Sequence, residues 1–210
     1  MNDYLVPASF GEAEFTEKRS RFIGRVWPCE TEDEALAHIK EMREKHWDAT
    51  HNVYAYIIRE GGSMRYSDDG EPQGTSGMPT LGVFRSAGIY NVCCVVTRYF
   101  GGILLGTGGL VRAYSQAAQA ALEAAGVAQM SLWRRVSAVC PYSFYERIRS
   151  ETEAFGGVIE NTDFAAEVTL SVLIGGENAD GYARRIADIT SGTALLSFLG
   201  DEYRAVKIKG

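Results

Sequence analysis

The sequence predicts an α+β protein with two domains, comprising residues 1–127 and 128–210. One pattern behind this prediction is a buried strand, a glycine-rich stretch and an amphipathic helix in succession over residues 91–122. The other is the order of segments after residue 131, which alternate between strand and helix periodicity as βαββαβ. With 210 residues, 46% of them hydrophobic, the chain can bury one large core or two modest ones.

The first domain is predicted to combine strands with three helices. Thr31-Glu-Asp-Glu34 matches a capping box, whose side chains satisfy free backbone N–H groups at a helix start, and predicts a helix to about His46. Val92 to Val96 form an unbroken apolar run, typical of a strand buried on both faces. Gly61-Gly62 predicts a hairpin turn. Strands are predicted at residues 10–15, 21–28, 52–59, 64–66 and 92–96, and helices at 31–46, 79–87 and 110–122.

The second domain is predicted to be ferredoxin-like. Ser143-Phe-Tyr-Glu146 matches a second capping box, and Gly156-Gly157 marks the end of the helix that follows. Alternation within residues 168–174 predicts a sheet with one face under two helices and an open face that is small and mildly polar. We expect protein contact or domain packing at this open face instead of base stacking. Strands are predicted at residues 132–140, 158–161, 166–174 and 194–199, and helices at 143–155 and 179–190.

The glycine-rich stretch after residue 100 predicts a demanding loop geometry. Glycine occupies five of nine positions, namely Gly101, Gly102, Gly106, Gly108 and Gly109. Thr107 stands where a P-loop needs lysine, and Val111 replaces the third glycine of a dinucleotide-binding fingerprint. The apolar residues 103–105 predict that the loop packs inward. Two interpretations stay open: a tight structural turn, or an anion site at the free N–H groups of the following helix.

An acidic segment lies upstream of this strand. Asp68, Asp69 and Glu71 fall among glycine, proline and hydroxyl residues, which do not continue a helix. The aspartates either form turns through their own backbone or bind a cation or act as acid and base. We predict that one of the three carboxylates pairs with Arg98 or Arg112, which would orient both loops and lower the carboxylate pKa.

Four segments together resemble the motifs of the YigZ/IMPACT family, in the expected order. They are Ser20-Arg-Phe22, Asp48-Ala-Thr-His51, the run from Ser67 to Pro79 and the run from Thr97 to Tyr114. The remainder, from about residue 131, resembles the small C-terminal domain of the bacterial branch.

This resemblance implies a fold and a field of activity. It implies an N-terminal βα domain similar to the ribosomal-protein second-domain fold and to elongation factor G domain four. It also implies a ferredoxin-like C-terminal domain similar to domain five of that factor. The eukaryotic branch regulates translation by blocking activation of a stress kinase through an additional N-terminal domain. Since this chain begins directly with the shared domain, we do not expect that pathway here.

The charge distribution bears on the partner. A net charge of −6 and a pI near 5.2 argue against nonspecific nucleic-acid binding by the whole molecule, but a local basic patch remains an option. Arg19, Arg21 and Arg25, next to Lys18, alternate so that they would share one face of a strand. Candidate stacking surfaces for single-stranded RNA are Phe15, Phe22, Trp27, Tyr99 and Phe100. The other interpretation, which nearby glutamates favour, is that the aromatics fill the core and the arginines are solvated.

An enzymatic alternative centres on His51. Together with Asp68, Asp69 and Arg98 it would form an acid–base site if their loops converge. The alternative is a structural role, in which His51 bonds a backbone carbonyl. The sequence has no HExxH motif and no Ser–His–Asp signature. Some members of the family have carried a proline-peptidase label, but the five-ligand dimetal set of such a peptidase is not recognisable here. We therefore predict no catalytic residue, no metal and no cofactor.

Composition predicts a cytoplasmic protein without a membrane partner. No apolar stretch reaches the length of a membrane span, and the first residues have no features of a secretory signal. The four cysteines form no CxxC pair, and the neighbours Cys93 and Cys94 would point to opposite faces of a strand, so we expect reduced thiols. These features do not predict an oligomeric state.

The sequence thus predicts a non-enzymatic binding protein, linked to the regulation of translation through RNA, the ribosome or a translation-linked protein. The alternative is an enzyme or a sensor of a small anionic ligand that uses the acidic and glycine-rich loops. The predicted binding residues are Arg19, Arg21, Arg25, His51, Asp68, Asp69, Glu71, Thr75, Arg98, Gly101, Gly102, Gly106, Thr107, Gly108 and Arg112.

Overall fold

The computed structural model describes residues 3–207, with side chains to residue 205. The chain divides into two compact units, Tyr4–Gln129 (the N-terminal unit) and Met130–Arg204 (the C-terminal unit). The elements up to residue 125 are β1 (Tyr4–Pro7), β2 (Gly11–Glu17), β3 (Ser20–Pro28), α1 (Glu32–Lys45), β4 (His51–Ile58), β5 (Ser63–Ser67), α2 (Gly77–Ser86), β6 (Val92–Tyr99) and α3 (Thr107–Ala125). Those that follow are β7 (Val127–Cys140), α4 (Tyr145–Ala154), β8 (Val158–Phe164), β9 (Val168–Gly175), α5 (Ala179–Thr190) and β10 (Leu195–Lys207).

The N-terminal unit contains an antiparallel sheet in the strand order β2-β3-β6-β4-β5. Helices α2 and α3 pack on one face of the sheet, and α1 packs on the other. Because successive strand residues point to opposite faces, Cys94 and Val96 join the core under α3 while Cys93 and Val95 join the core under α1. Residues 92–96 are all fully buried, so the predicted strand with two buried faces is confirmed.

Helix α3 lies unusually close to the sheet. A Cβ atom on Gly24 would come within 2.3 Å of the carbonyl oxygen of Ala117, and one on Gly11 within 2.3 Å of that of Ala121. Glycine in the strands and alanine in the helix therefore let the two backbones approach each other. This close packing fixes the position of α3, whose first turn borders the site described below.

Helix α1 begins as its sequence predicts. The Thr31 hydroxyl accepts a hydrogen bond from the Glu34 N–H at 3.2 Å. The second predicted capping box is wrong: a 3₁₀ turn over Tyr142–Phe144 precedes α4, and no side chain caps the helix. A 3₁₀ turn can satisfy the first N–H groups through backbone bonds, so Ser143 is not needed as a cap.

The C-terminal unit has the predicted βαββαβ order of elements, with the strands arranged β10-β7-β9-β8. Helices α4 and α5 pack on one face, over a core that includes Val172 and Ile174. On the opposite face, the expectation of a small, mildly polar surface is wrong. Leu173 there is buried, and its neighbour in the strand register is the charged Arg135.

Four charged side chains form a closed ring on this face of the C-terminal sheet. Arg135 bonds Glu160 at 3.3 Å and Glu202 at 2.8 Å, and Arg204 bonds the same two glutamates at 2.8 and 2.7 Å. The hydrogen bond from Arg135 is the main cause that lowers the pKa of Glu202. Since two cations meet two anions, the ring offers no net charge to a partner.

Candidate functional site

Loops from all parts of the N-terminal unit meet at one end of its sheet. The antiparallel registers pair Arg21 with Tyr99 and His51 with Arg98, so the starts of β3 and β4 lie beside the end of β6. We call this the loop end. It carries the Lys18–Arg19 turn, the α1–β4 connection, the β5–α2 connection of residues 68–76 (the acidic loop) and the β6–α3 connection of residues 100–106 (the glycine loop). The family-like motifs therefore converge here.

Asp68 organises the acidic loop from within. One carboxylate oxygen accepts the N–H groups of Ser76 (3.1 Å) and Gly77 (2.8 Å) and the Ser76 hydroxyl (2.7 Å), and the other accepts the N–H of Gly74 at 2.8 Å. Burial by itself would raise the pKa of Asp68, but these donors together lower it. Thr75 donates to the carbonyl of Pro72 at 2.6 Å in the same loop. Asp68 and Thr75 thus form turns within the acidic loop.

Asp69 ties the acidic loop to the sheet. Its carboxylate accepts the backbone N–H of Asn52 at 2.6 Å and pairs with Arg43 at 2.8 Å. Its carbonyl lies 2.8 Å from Nδ1 of His51. Because a carbonyl only accepts, Nδ1 of His51 carries the proton. This bond to a backbone carbonyl is the structural role that was the alternative to acid–base chemistry for His51.

A buried hub joins the acidic loop to β6 and α3. Oε1 of Glu71 accepts Nη1 of Arg98 at 2.5 Å and the Tyr114 hydroxyl at 2.7 Å, and His51 Nε2 lies 3.7 Å from it. Only 3% of the Glu71 side chain and 5% of the Arg98 side chain are exposed. The predicted pairing of an acidic-loop carboxylate with Arg98 is confirmed; Arg112 takes no part. Burial and the Glu71 carboxylate raise the pKa of Tyr114, so its phenol stays protonated and donates.

The hub extends to the glycine loop. Nη2 of Arg98 donates to the Ser20 hydroxyl at 3.3 Å, and the same hydroxyl accepts the Gly101 N–H at 3.2 Å. The Arg98 guanidinium also lies 5.4 Å from the ring centroids of Phe22 and Phe100. Its buried Nε has no hydrogen-bond partner among the described residues. One arginine therefore positions both loops.

The glycine loop differs in part from its prediction. A Cβ atom on Gly101 would come within 2.0 Å of the Arg19 carbonyl, and Gly102 and Gly106 have φ of +83° and +73°, which explains the demand for glycine. Leu105 packs inward as expected, but Ile103 and Leu104 are exposed. The backbone that these glycines impose turns the two side chains outward.

Helix α3 begins at the end of the glycine loop. Gly106 is its N-cap and provides no side chain to bond the first N–H groups, and Thr107 and Gly108 in the first turn are exposed. The start of α3 therefore presents backbone donors to solvent.

Two of the three predicted phosphate-binding arginines are already neutralised. Arg21 and Arg25 share a face of β3 as predicted, but Arg21 forms two 2.7 Å hydrogen bonds with Glu14. Arg25 is buried and bonds Glu12 at 2.5 Å. Arg19 instead lies in the exposed turn, with φ of +66°.

The cations without a carboxylate partner lie elsewhere at the loop end. Lys18, Arg19 and Arg112 form no ion pair with any described residue. Lys18 and Arg112 line one shallow cleft between the β2–β3 turn and the first turns of α3, and the exposed Glu17 lines it as well. The pairing of β2 with β3 supplies a glutamate to Arg21 and Arg25, whereas Lys18 and Arg19 lie in the turn between these strands and Arg112 lies on α3.

Few of the predicted stacking aromatics are accessible. Phe22 is fully buried, Phe15 stacks on it with ring centroids 5.3 Å apart, and Trp27 stacks on His38. Phe100 is exposed. Trp47, in the α1–β4 connection, is also exposed, although no sequence pattern had marked it.

Within residues 3–205, no group of three or more His, Cys, Asp or Glu side chains is placed to hold a metal ion. No helix in the described part of the chain is both long and apolar enough to cross a membrane.

The fold and the four motifs together define the class of this protein: a two-domain α+β protein with motifs that resemble those of the YigZ/IMPACT family. Residues 18–122 match the Impact N-terminal domain, and residues 139–193 match a domain of unknown function, DUF1949. The chain belongs to the IMPACT family, so the predicted resemblance is confirmed.

Two bacterial relatives and a solved structure match nearly the whole chain, whereas a eukaryotic relative matches about half of it. IMPACT family member YvyE of Bacillus subtilis is 33% identical over 193 residues, covering 91% of this chain and 89% of that protein. IMPACT family member YigZ of Escherichia coli is 32% identical over 199 residues, covering 93% and 98%. Protein IMPACT of Rattus norvegicus is 34% identical over 106 residues, covering 49% and 33%. A crystal structure titled as that of a hypothetical protein superposes with a TM-score of 0.60 at 31% identity, covering 95% and 98%.

Proposed function

We propose that this protein is a non-enzymatic, cytoplasmic RNA-binding protein of translation regulation, and that it engages ribosomal RNA with the loop end of its N-terminal sheet. The observation that carries this proposal is the sorting of charge at the loop end. The three carboxylates of the acidic loop, Asp68, Asp69 and Glu71, are all hydrogen-bonded within the N-terminal unit. Lys18, Arg19 and Arg112 are exposed and form no ion pair with a described residue.

A local patch suffices although the net charge is −6. Salt screens exposed charges beyond a Debye length of about 8–10 Å, so distant glutamates weigh little against cations that touch a phosphate. Among the acidic groups of the loop end, Asp69 pairs with Arg43, and Glu71 with Arg98. The exposed Glu17 lines the same cleft as Lys18 and Arg112, so two cations meet one anion there and a positive charge remains. The free N–H groups at the start of α3 add partial positive charge at the same end.

The buried hub argues against an enzyme. A general acid or base must reach its substrate within about 2.6–3.2 Å. Glu71 is almost fully buried, and one of its oxygens already accepts two internal hydrogen bonds. The carboxylate oxygens of Asp68 are engaged by backbone and hydroxyl donors of the same loop. The burial of Glu71 and the internal hydrogen bonds of Asp68 support a structural role, in which the hub holds the loops for binding.

The link to translation rests on family. The motifs resemble those of a family whose eukaryotic branch regulates translation, and the fold that they imply is similar to domains of ribosomal proteins and of a translation factor. This is an argument by analogy of fold, so it supports ribosomal RNA as a partner without identifying the contact. The free thiols Cys29, Cys93, Cys94 and Cys140 are in keeping with a reducing compartment.

The test compares cation loss at the loop end with the same loss elsewhere. The variant Lys18→Gln/Arg112→Gln is measured against Arg85→Gln/Arg184→Gln, whose arginines are also exposed and without an ion pair to the described residues. Binding to a fluorescent single-stranded RNA and to purified ribosomal subunits is followed over a range of salt. Each lost phosphate contact lowers the salt slope by roughly 0.7, so we expect a slope lower by about 1.4 for the loop-end variant.

The control variant should bind as the parent does. Equal slopes for the two double variants would refute the proposal, as would a parent protein that binds neither probe. A pull-down from cells that keeps its partner after nuclease treatment would point to a protein partner instead.

A further inference from the structure

We infer that the loop end binds RNA through unpaired bases, which stack on the exposed side chains of the glycine loop. This surface, which we call the apolar tip, consists of Phe100, Ile103 and Leu104. The inference rests on the proposed function and deepens it, because it specifies single-stranded RNA and a mode of recognition.

The apolar tip is exposed to a degree that demands an explanation. Phe100 is 44% exposed, Ile103 41% and Leu104 80%. Single exposed apolar residues are normal on a protein surface, but here three fall within five positions of one loop. Exposed apolar side chains that cluster within a polar rim mark an interaction site.

The backbone under the tip is fixed in place. Gly101 touches the Arg19 backbone too closely for any side chain, and the Phe100 N–H donates to the Thr50 hydroxyl at 3.0 Å. On the other side, Leu105 is buried. A preformed surface loses little conformational entropy on binding. The tip is therefore anchored at both ends.

The chemistry around the tip selects the partner. Arg19 adjoins Gly101, and the neighbouring cleft is lined by Lys18 and Arg112 together with Glu17, which leaves an excess of one positive charge. A ligand for this surface combines flat apolar faces with negative charge, which describes unstacked bases on a phosphate backbone. A duplex offers the phosphates but keeps its base faces inside the stack, so it satisfies the cations and leaves the tip unused.

Phe100 is the best placed of the three for stacking. The guanidinium of Arg98 lies 5.4 Å from its ring centroid, so the buried hub sets the orientation of the ring. Stacking on aromatic side chains tolerates any base, because every base has a π face. The structure thus favours recognition of single-stranded RNA whatever its base sequence.

The test uses the full chain with two RNA probes: a single-stranded oligonucleotide and a fully paired duplex of the same composition. The variants are Phe100→Ala and Leu104→Ala. Their matched controls are Phe164→Ala and Leu199→Ala in the C-terminal unit, where the side chains are 56% and 60% exposed. All four truncate exposed side chains, and thermal unfolding confirms that each variant is folded.

We expect Phe100→Ala to weaken single-strand binding by about 5- to 160-fold, the equivalent of about 1–3 kcal/mol for one stacked base. The salt slope should not change, because no phosphate contact is lost. Leu104→Ala should act in the same direction, and the controls should match the parent. Duplex should bind more weakly than single strand and respond to none of these variants.

Two failures are distinguishable. If the parent binds no RNA, the proposed function fails as well. If Lys18→Gln/Arg112→Gln lowers the salt slope but Phe100→Ala and Leu104→Ala bind as the parent does, only the stacking inference is overturned. The stacking inference would also be overturned if duplex RNA bound as tightly as single-stranded RNA. It would be overturned likewise if the two tip variants lost binding to anionic lipid vesicles but bound RNA as the parent does.

Discussion

The pair between Glu71 and Arg98 leads to a prediction about stability. Glu71→Gln keeps the shape of the side chain and an acceptor for Tyr114, but it removes the charge that faces Arg98 at 2.5 Å. Both side chains are almost fully buried. Removing one partner from such a pair leaves an uncompensated charge and costs about 3–5 kcal/mol. We expect the free energy of unfolding of the N-terminal unit to fall by about that amount.

The assay is urea unfolding at neutral pH, followed by circular dichroism. Glu14→Gln is the matched control, because Glu14 also pairs with an arginine but both partners are half-exposed and screened by solvent, so we expect little change. The double variant Glu71→Gln/Arg98→Met removes both charges and should recover part of the loss. A loss below about 1 kcal/mol for Glu71→Gln, the value typical of surface pairs, would refute this reasoning. So would a double variant that is as unstable as the sum of the single ones.

Two further predictions concern the loops. Asp68 has a pKa below its ordinary 3.8, so the stability it contributes is present above that pH and is lost as the pH falls through its folded value. Asp68→Asn should therefore be less stable than the parent at neutral pH, and the difference between the two unfolding midpoints should disappear below about pH 4. A difference that stays constant with pH would contradict this prediction. Gly101→Ala places a Cβ atom 2.0 Å from the Arg19 backbone, and we expect a loss of about 1–3 kcal/mol in urea unfolding together with weaker RNA binding. Gly82→Ala is its control, since a Cβ atom there meets nothing within 4 Å, and equal effects of the two substitutions would contradict the reasoning.

Much of the fold follows from local patterns. Residues 92–96 are apolar without a break, and such a short, valine-rich run is typical of a strand with two buried faces, so the central strand β6 could be predicted. Thr31 and Glu34 specify the start of α1 through one side-chain bond. The pairing of Glu71 with Arg98 could also be anticipated, because the acidic loop and the segment that carries Arg98 have opposite charges. These features depend on neighbours in sequence or on a single charge match.

The candidate site depended on the tertiary structure. An arginine can bind a phosphate only if the fold does not already place a carboxylate beside it. The register of β2 against β3 sets Glu12 opposite Arg25 and leaves Arg19 in the turn. No sequence pattern within one strand contains that register. Burial of Ile103 and Leu104 was predicted from their apolar character, and it fails because the glycine backbone around them directs both side chains to solvent.

The sequence by itself determined most of the helices and strands and the family of this protein, because hydrophobic periodicity and motif order can be read along the chain. The tertiary structure alone decided which charges cancel and which remain exposed. Ion pairing and exposure arise between residues that are distant in sequence, and strand register and loop geometry bring them together only in the folded chain.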